Sequence, residues 1–487
     1  MRNGTELPPR WEERPLGDLF DVLDSRRVPV NARERATRQG NIPYYGATGQ
    51  VGWIDDFLYD EELVLLGEDG APFLEGLKPK AYIIRGKTWV NNHAHVLRAL
   101  GGTPSSFWKS QLDQVQYRPY VSGTTRLKLP QAPMRAIPLR VPPVDEQWRI
   151  AEAVDSYFTR LDDAEATLER VKRNLVRYRA SVLQAAVEGR LVPTEAELSR
   201  ADGRPFEHAS AFLKRLAASR SQSRGDKVTD SSTSAPSHGA PLPDGWCWAT
   251  VDELSQDIRY GTSARSSRLE ESAIPVLRMG NIAAGVLRFN NLKFLPSVHP
   301  EFPELLLRPG DLLFNRTNSP ELVGKSAVFH GYSSRCSFAS YLIRVRLLAE
   351  VNPDYLACFL NSHSGRRWIA AVVSQQVGQA NVNGSKLKAC VFPLPPADEQ
   401  IRIVAEIDRL ISGASALEHA VELGLRRVRT LRGSILQVAF QGRLVDQDPT
   451  DEPASVLLDR IRTERAKAAS SPETPLRRSR PRKAVKK

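Results

Sequence analysis

The sequence predicts an α+β protein: two mixed α/β globules separated by two long helices that pair antiparallel as a coiled coil, with a pseudo-twofold relation from internal duplication. Three observations predict this. The stretches Val141–Val192 and Leu394–Val445 align without a gap and are identical at roughly 20 of about 50 positions, which marks a duplication. Within each copy, apolar residues recur at alternating spacings of four and three, the period of a coiled-coil seam. Ahead of each copy lies a segment of about 135 to 150 residues rich in β-formers, glycine and proline.

The long helices come first in the argument because they place everything else. The first seam reads Ile150, Val154, Leu161, Leu168, Leu175 and Val182, with Tyr157, Ala164, Val171, Tyr178 and Ala185 at the intervening positions. Its partner reads Ile403, Ile407, Leu410, Leu417, Val421, Val428, Leu431 and Ile435, with Ala414, Gly424 and Val438 between, Gly424 being the weak member. A Pro-Pro pair precedes each helix and cannot continue an earlier one, while Gly189 and Gly442 supply left-handed ends. At 1.5 Å per residue each rod is about 65 Å long. A lone helix would leave its seam wet, so the economical partner for each copy is the other. Because each helix follows its globule directly, parallel pairing would crowd both globules at one end; antiparallel pairing is expected.

Composition bounds the rest. With 487 residues, 41% hydrophobic and 25% charged, the chain is too long for one core and has the make-up of a soluble multidomain protein. No apolar run reaches membrane-spanning length, and Met1–Arg10 carries charge and prolines where a secretory signal needs an apolar centre, so a cytoplasmic protein is expected. Cys247, Cys336, Cys358 and Cys390 lack the spacing of a zinc site or a disulfide framework. Of the net charge of +12, seven units lie in the tail after Pro475, leaving +5, so nucleic-acid binding has to be argued from the domains.

In chain order the expected parts are a first globule at 1–141, a long helix at 142–192, a short helix and linker at 193–241, a second globule at 242–394, a second long helix at 395–445, a short helix at 446–474 and a basic tail at 475–487. Polar residues gather at the turns of both globules. In the first, Tyr44, Tyr45 and Thr48 flank Gly46 and Gly49; Lys87, Asn91, Asn92 and His93 fall together; Arg118, Tyr120, Thr124 and Arg126 surround Gly123. The second offers Arg278 and Asn281, then Asn315, Arg316, Thr317, Asn318 and Lys325, then Gln376, Gln379, Asn381, Asn383 and Lys386. Such amides, hydroxyls and cations suit base edges and phosphates, although turns are polar everywhere and a solvated turn is the competing reading for each. His93 and His95 alternate in a strand without a third ligand at a convincing spacing, which argues against a metal. Gly324-Lys325-Ser326 resembles the end of a phosphate loop, but Ser319 stands where its first glycine belongs. From about Ser219 the sequence reads as a polar, Ser-rich linker.

Taken together, the Pro-Pro-x-Asp-Glu-Gln-x-Arg-Ile starts at Pro142 and Pro395, the Ala-x-x-Gly-Arg-Leu-Val ends at Ala186 and Ala439, IPYYGATGQVG from Ile42 and PGDLLFNRTNSPELVGKSA from Pro309 resemble the specificity subunit of type I restriction-modification enzymes. The resemblance covers nearly the whole chain, the basic tail excepted. It implies two target recognition domains, each reading half of a bipartite, asymmetric site on double-stranded DNA. It also implies long helices that dock two methyltransferase subunits, with restriction/translocase subunits beside them. Partner subunits would use S-adenosylmethionine, ATP and Mg for adenine N6 methylation and restriction; this chain would bind none of these and would not be an enzyme. The residues agree: Val144 and Ala397 follow the Pro-Pro pairs where an amino-methyltransferase needs its aromatic, and no complete phosphate loop or nuclease metal motif is found. The rival readings are a self-contained restriction endonuclease or methyltransferase recognition half, and a coiled-coil scaffold that binds protein.

Overall fold

The computed structural model describes residues 7–76, 78–224, 241–267, 273–376 and 379–470. The basic tail expected at 475–487 lies outside them. The chain forms two compact units, one made of Met1–Glu169 with Glu422–Lys487, the other of Arg170–Val421. The long helices run Val144–Val187 and Ala397–Ala439, so each gives one half to each unit. Gly189 (φ 68°) and Gly442 (φ 69°) end them in the left-handed conformation that only glycine adopts without strain.

In the first unit, β1 (Glu12–Pro15) pairs antiparallel with β10 (Pro138–Val141), which sets the first helix start against the beginning of the globule. Between them lie two four-stranded sheets. One has the order β2 (Phe20–Val22), β9 (Ala94–Ala99), β6 (Leu63–Gly67), β7 (Ala81–Ile84), all antiparallel. The other has the order β4 (Gln50–Ile54), β3 (Ile42–Tyr45), β8 (Lys87–Val90), β5 (Tyr59–Asp60), with β3 and β8 parallel. Strand β6, Leu-Val-Leu-Leu-Gly, is buried throughout, as a central strand covered on both faces must be. The core around Phe20, Leu97 and Trp108 extends to Ile150 and Val154 of the first helix, Leu436 and Ala439 of the second, and Leu457 and Ile461 beyond it.

The second unit repeats this plan with different residues. Strand β11 (Cys247–Thr250) pairs with β24 (Val391–Leu394). The order β12 (Ser255–Tyr260), β21 (Leu342–Leu347), β17 (Asp311–Asn315), β19 (Ser326–Phe329) reproduces β2-β9-β6-β7 strand for strand and direction for direction. Strand β13 (Ile274–Leu277), antiparallel to β16 (Lys293–Leu295) and parallel to β20 (Ser337–Phe338), matches β3 with its neighbours β4 and β8. A hairpin of β14 (Ile282–Ala283) and β15 (Val286–Leu287), and a small sheet ordered β18 (Thr317–Asn318), β23 (Gln379–Asn381), β22 (Ser374–Gln376), are additions.

The duplication shows most plainly at the helix starts. Trp11 Nε1 donates to Glu146 Oε2 at 3.0 Å, and Trp246 Nε1 to Glu399 Oε1 at 3.0 Å. Gln147 Nε2 donates to the Pro142 carbonyl at 2.9 Å, and Gln400 Nε2 to that of Pro395 at 3.0 Å. Burial raises the pKa of both glutamates despite these bonds. The segment that follows the second helix closes the first unit: Ala454 N donates to Arg10 O at 3.0 Å, and Arg149 pairs with Asp451 at 2.6 Å. The segment after the first helix closes the second in the same way, with Ala209 N to Gly245 O at 2.8 Å and Arg402 to Glu195 at 2.6 Å. Its helix Ala209–Arg224 runs past Ser219, where the sequence suggested a linker had begun.

Within each unit the helix halves pair antiparallel, but the seam differs in part from the expected one. Ile150, Val154, Leu175, Val182, Ile403, Ile407, Val421 and Val428 are buried, and Leu161, Leu168, Leu410 and Ile435 half-buried. Leu417 (58% exposed) and Leu431 (48%) face outward, as do Tyr157, Val171 and Tyr178. The seam instead takes the residue one step later, Phe158, Leu425, Leu436 and Ala439, and includes charges. Arg432 bridges Asp162 and Glu165, the latter at 3.1 Å; in the other unit Arg179 meets Glu418 at 2.8 Å. The copies are offset by 253 residues, from Val141 to Leu394, so Glu165 corresponds to Glu418 and Arg179 to Arg432. These are two symmetry-related pairs that only antiparallel helices can form. Gly424 makes room for Leu168, whose Cδ1 would lie 3.1 Å from an added Cβ. Among the described residues no helix is long and apolar enough to cross a membrane.

Candidate nucleic-acid interface

The paired residues Gly67 and Ala94 mark one end of the first domain's central sheet, and three loops meet there. Glu68 N donates to His93 O at 2.8 Å, Gly70 N to Leu127 O at 3.0 Å and Leu129 N to Glu68 O at 2.8 Å, tying 68–70, 91–93 and 122–129 together. The Gly46–Gly49 turn between β3 and β4 completes the rim, with Asn91 N bonded to Tyr45 O at 3.0 Å. Between these loops lies an open groove of about 760 Å³, lined by Thr48, Asp69, Asn91, His93 and Arg126 over the apolar Ala71 and Phe73. A second hollow of about 410 Å³ adjoins it, sharing Asn91 and His93 and adding Asn92 and Arg35. Thus Thr48, Asn91, Asn92 and Arg126, far apart in sequence, come together.

Other candidates do not join them. Tyr44 is 1% exposed and its hydroxyl donates to the Val30 carbonyl at 3.1 Å, so it is a core residue with a satisfied polar tip, not a DNA contact. Tyr45 is half-buried against Tyr82. Lys87 opens β8 and Asn91 follows its far end, so a strand length separates two residues that the sequence grouped; the Lys87 ammonium lies over the Phe57 ring at 4.9 Å. Arg118, Tyr120 and Thr124 lie outside the groove lining.

Beneath the groove a buried network braces the loops. His95 Nδ1 lies 2.6 Å from Asp24 Oδ2 and Nε2 lies 2.8 Å from the Leu129 carbonyl oxygen, while Arg27 reaches Glu68 at 2.6 Å and Asp24 at 3.3 Å. Burial works to raise the Asp24 pKa, but the His95 bond and charge, the Val96 N–H and Arg27 together hold it below the ordinary value. Asp24, Glu68 and His95 have the composition of a metal site. The cation they hold is the Arg27 guanidinium. Sequence spacing around His93 and His95 missed the two acids because the fold, not the chain, brings them near.

In the second domain the same sheet end, after β17 and before β21, carries the candidates. Arg316 is half-buried, with its guanidinium 4.8 Å from the Tyr260 ring, and Tyr260 Oη accepts the Gly384 N–H at 2.7 Å. Thr317 pairs with Asn381 and Asn318 with Ala380; Gln376 and Gln379 are register partners of β22 and β23, and their side chains lie outside the described residues. Several candidates here are braces. Asn315, fully buried, donates to Leu322 O at 3.1 Å, and Asn281, buried, donates to Arg288 O at 2.7 Å and Asn290 O at 3.0 Å, so neither is available to a base. Asn383 caps the helix Gly384–Lys388 by accepting Lys386 N–H at 2.9 Å, and Lys386 Nζ donates to Val372 O at 2.5 Å and Ser374 Oγ at 2.6 Å. Arg278 donates to Asn291 O at 2.7 Å, and Lys325 is half-buried. Among the candidates with described side chains, those left for a ligand are Arg316, Thr317, Asn318 and Asn381, with the exposed Tyr260 and Tyr341, which were not among the sequence candidates.

The family profile described as "Type I restriction modification DNA specificity domain" matches residues 8–173 and 246–426, covering both recognition domains and most of both helices. The chain belongs to this family. Among curated specificity subunits, that of the type I restriction enzyme EcoKI from Escherichia coli K12 is 29% identical over 377 residues, 75% of this chain and 72% of the other. The EcoDI specificity subunit of Escherichia coli is 24% identical over 470 residues, 95% and 96% of the two chains. A solved chain from work on complex assembly and conformational transition of the type I R-M system shares the fold, with a TM-score of 0.56 at 18% identity, covering 90% of this chain and 99% of that one. For a type I specificity subunit, two domains with one topology and different loops at one sheet end are the arrangement that reading two different sequences calls for.

Proposed function

We infer that this chain supplies the address of a type I restriction-modification system: it recognises a DNA sequence, and partner subunits carry out the chemistry. What supports this is the repeated sheet whose loop-bearing end is polar in both domains but chemically different, with Thr48, Asn91 and Arg126 in one and Arg316, Asn318 and Asn381 in the other. The site read is bipartite and asymmetric on double-stranded DNA, residues 1–141 and 242–394 each taking one half. Two methyltransferase subunits, using S-adenosylmethionine, methylate adenine N6 there; restriction subunits using ATP and Mg act with them, in the cytoplasm.

The outward apolar positions on the long helices are the docking stripe for the methyltransferases. In an antiparallel pair, positions of this heptad phase on the two helices flank the same side of the seam. They are Tyr157 with Leu431 in one unit, and Val171 and Tyr178 with Leu417 in the other; Tyr178 and Leu431 are counterparts at the 253-residue offset, one matched position for each of two copies of one partner. The deciding experiment is single-molecule sequencing of DNA from cells expressing the chain with its methyltransferase. A bipartite motif carrying N6-methyladenine is the expected outcome, one half of which changes when residues 242–394 are exchanged; a short contiguous motif, or a change in both halves, would overturn the reading.

A further inference from the structure

We propose that Arg126 reads a guanine in the first half-site and that Asp69 is the positioning residue that aims it; this rests on the DNA-reading assignment above. Asp69 Oδ1 lies 2.6 Å from Arg126 Nε, and its other oxygen lies 3.4 Å from His93 Nδ1, so the carboxylate pairs with Arg126 and sits beside the His93 ring. The contact engages Nε and leaves the two terminal nitrogens of an arginine that is 60% exposed at the groove. A planar pair of donors on a fixed guanidinium matches O6 and N7 of guanine in the major groove, the base-specific contact that arginine makes most often.

The backbone is shaped for this side chain. Gly70 takes a φ of 76°, and a Cβ there would sit 3.1 Å from Arg126 Nε; Gly123, at φ 100°, would bring one within 2.5 Å of the Arg126 carbonyl oxygen. Both glycines therefore serve the placement of Arg126: one lets the guanidinium lie across the loop and the other turns the chain that carries it. Asn91 on the same wall accepts the His93 N–H on its Oδ1 at 2.8 Å, which fixes which end of the amide is the NH₂ donor. The apolar floor of Ala71 and Phe73 gives an adjoining base methyl contact without a polar requirement.

The test uses the full chain co-expressed with its methyltransferase subunit, with every motif read by single-molecule sequencing. Arg126→Ala is expected to make one G·C position of a single half-site degenerate, its discrimination falling roughly ten- to a hundredfold, with the other half-site unchanged. Asp69→Asn loosens the same position to a smaller degree, and Arg118→Ala, which alters an exposed arginine outside the groove, leaves the motif intact. Retention of the other positions of the first half-site certifies that the altered domain folds. If Arg126→Ala keeps the whole motif, or relaxes an A·T position, or weakens binding at all sequences alike with a salt dependence reduced by about one charge, Arg126 is not a guanine reader. Absence of any bipartite motif for the unaltered chain would remove the DNA-reading assignment itself, and the proposal with it.

Discussion

The two recognition domains share their strand plan and the contacts at their helix starts, and differ in the polar groups that brace them. β2-β9-β6-β7 and β12-β21-β17-β19 have the same order and directions, and each carries a parallel pair, β3–β8 or β13–β20, in the same place. The polar groups that stiffen the two sheets are unrelated. In the first, Asp24, His95, Arg27 and Glu68 form a buried network. In the second, Arg344 meets Asp257 at 2.5 Å and Arg346 meets Asp311 at 2.7 Å. The difference teaches that the topology needs only apolar strand interiors and some internal brace, and does not dictate its chemistry. Loops at one sheet end are then free to diverge, as the two sets of loops here do.

This comparison can be broken one domain at a time. The largest effect is expected from Asp24→Ala, which leaves His95 and Arg27 with only Glu68 for charge compensation; a loss of about 3–5 kcal/mol is expected. Hydrogen exchange should then report weakened protection in β6 and β9 with β17 and β21 unchanged, and equal loosening of both sheets would contradict independent bracing. Next in size is the seam against the stripe. Leu175→Ala, at a buried position, should cost about 2–3 kcal/mol in a denaturant melt. Leu431→Ala should stay within about 0.5 kcal/mol yet lower the affinity for the methyltransferase subunit; the reverse order would sink the phase assigned to the helices. Smaller again, Trp11→Phe and Trp246→Phe each remove one bond to a buried glutamate, and matched losses of about 1–3 kcal/mol in the two units would sharpen the symmetry.

The titrating groups give opposite signs. The folded-state pKa of Asp24 is depressed, so its contribution is present above the unfolded value of about 3.9 and fades as pH falls below it. Glu146 and Glu399 are raised by burial, so theirs is full below an unfolded value of about 4.3 and is lost as pH rises through the folded values. An Asp24→Asn chain should therefore lose part of its acid-side decline, as seen by the melting temperature as pH falls below about 4. An unchanged slope would mean that Asp24 is not the titrating brace.

Much of this architecture was legible because the duplication repeats its own boundaries: Pro142 and Pro395, Gly189 and Gly442, and the strand-forming segments between them. The phase of the helix pair was legible only in part. Both the stripe containing Leu431 and the line containing Leu436 keep the period, and the seam admits Glu165, Arg179, Glu418 and Arg432, which a hydrophobic pattern skips. Chemistry by residue type picked Arg126 and Asn91, which line the groove of the first domain, but also Tyr44 there and Asn281 and Asn315 in the second domain, which are buried and donate to backbone carbonyls. Asp69 escaped notice because its partner lies 57 positions away, a pairing that only loop closure creates.

The division of the chain bears on its synthesis. Residues 170–421 form one unit in a single run, whereas 1–169 are completed by 422–487. A ribosome therefore delivers everything the later unit requires while the earlier one still lacks the segment around Ala454, Leu457 and Ile461 that covers its apolar side. The part made first is the part finished last, and until that segment emerges its open flank is the surface a chaperone meets.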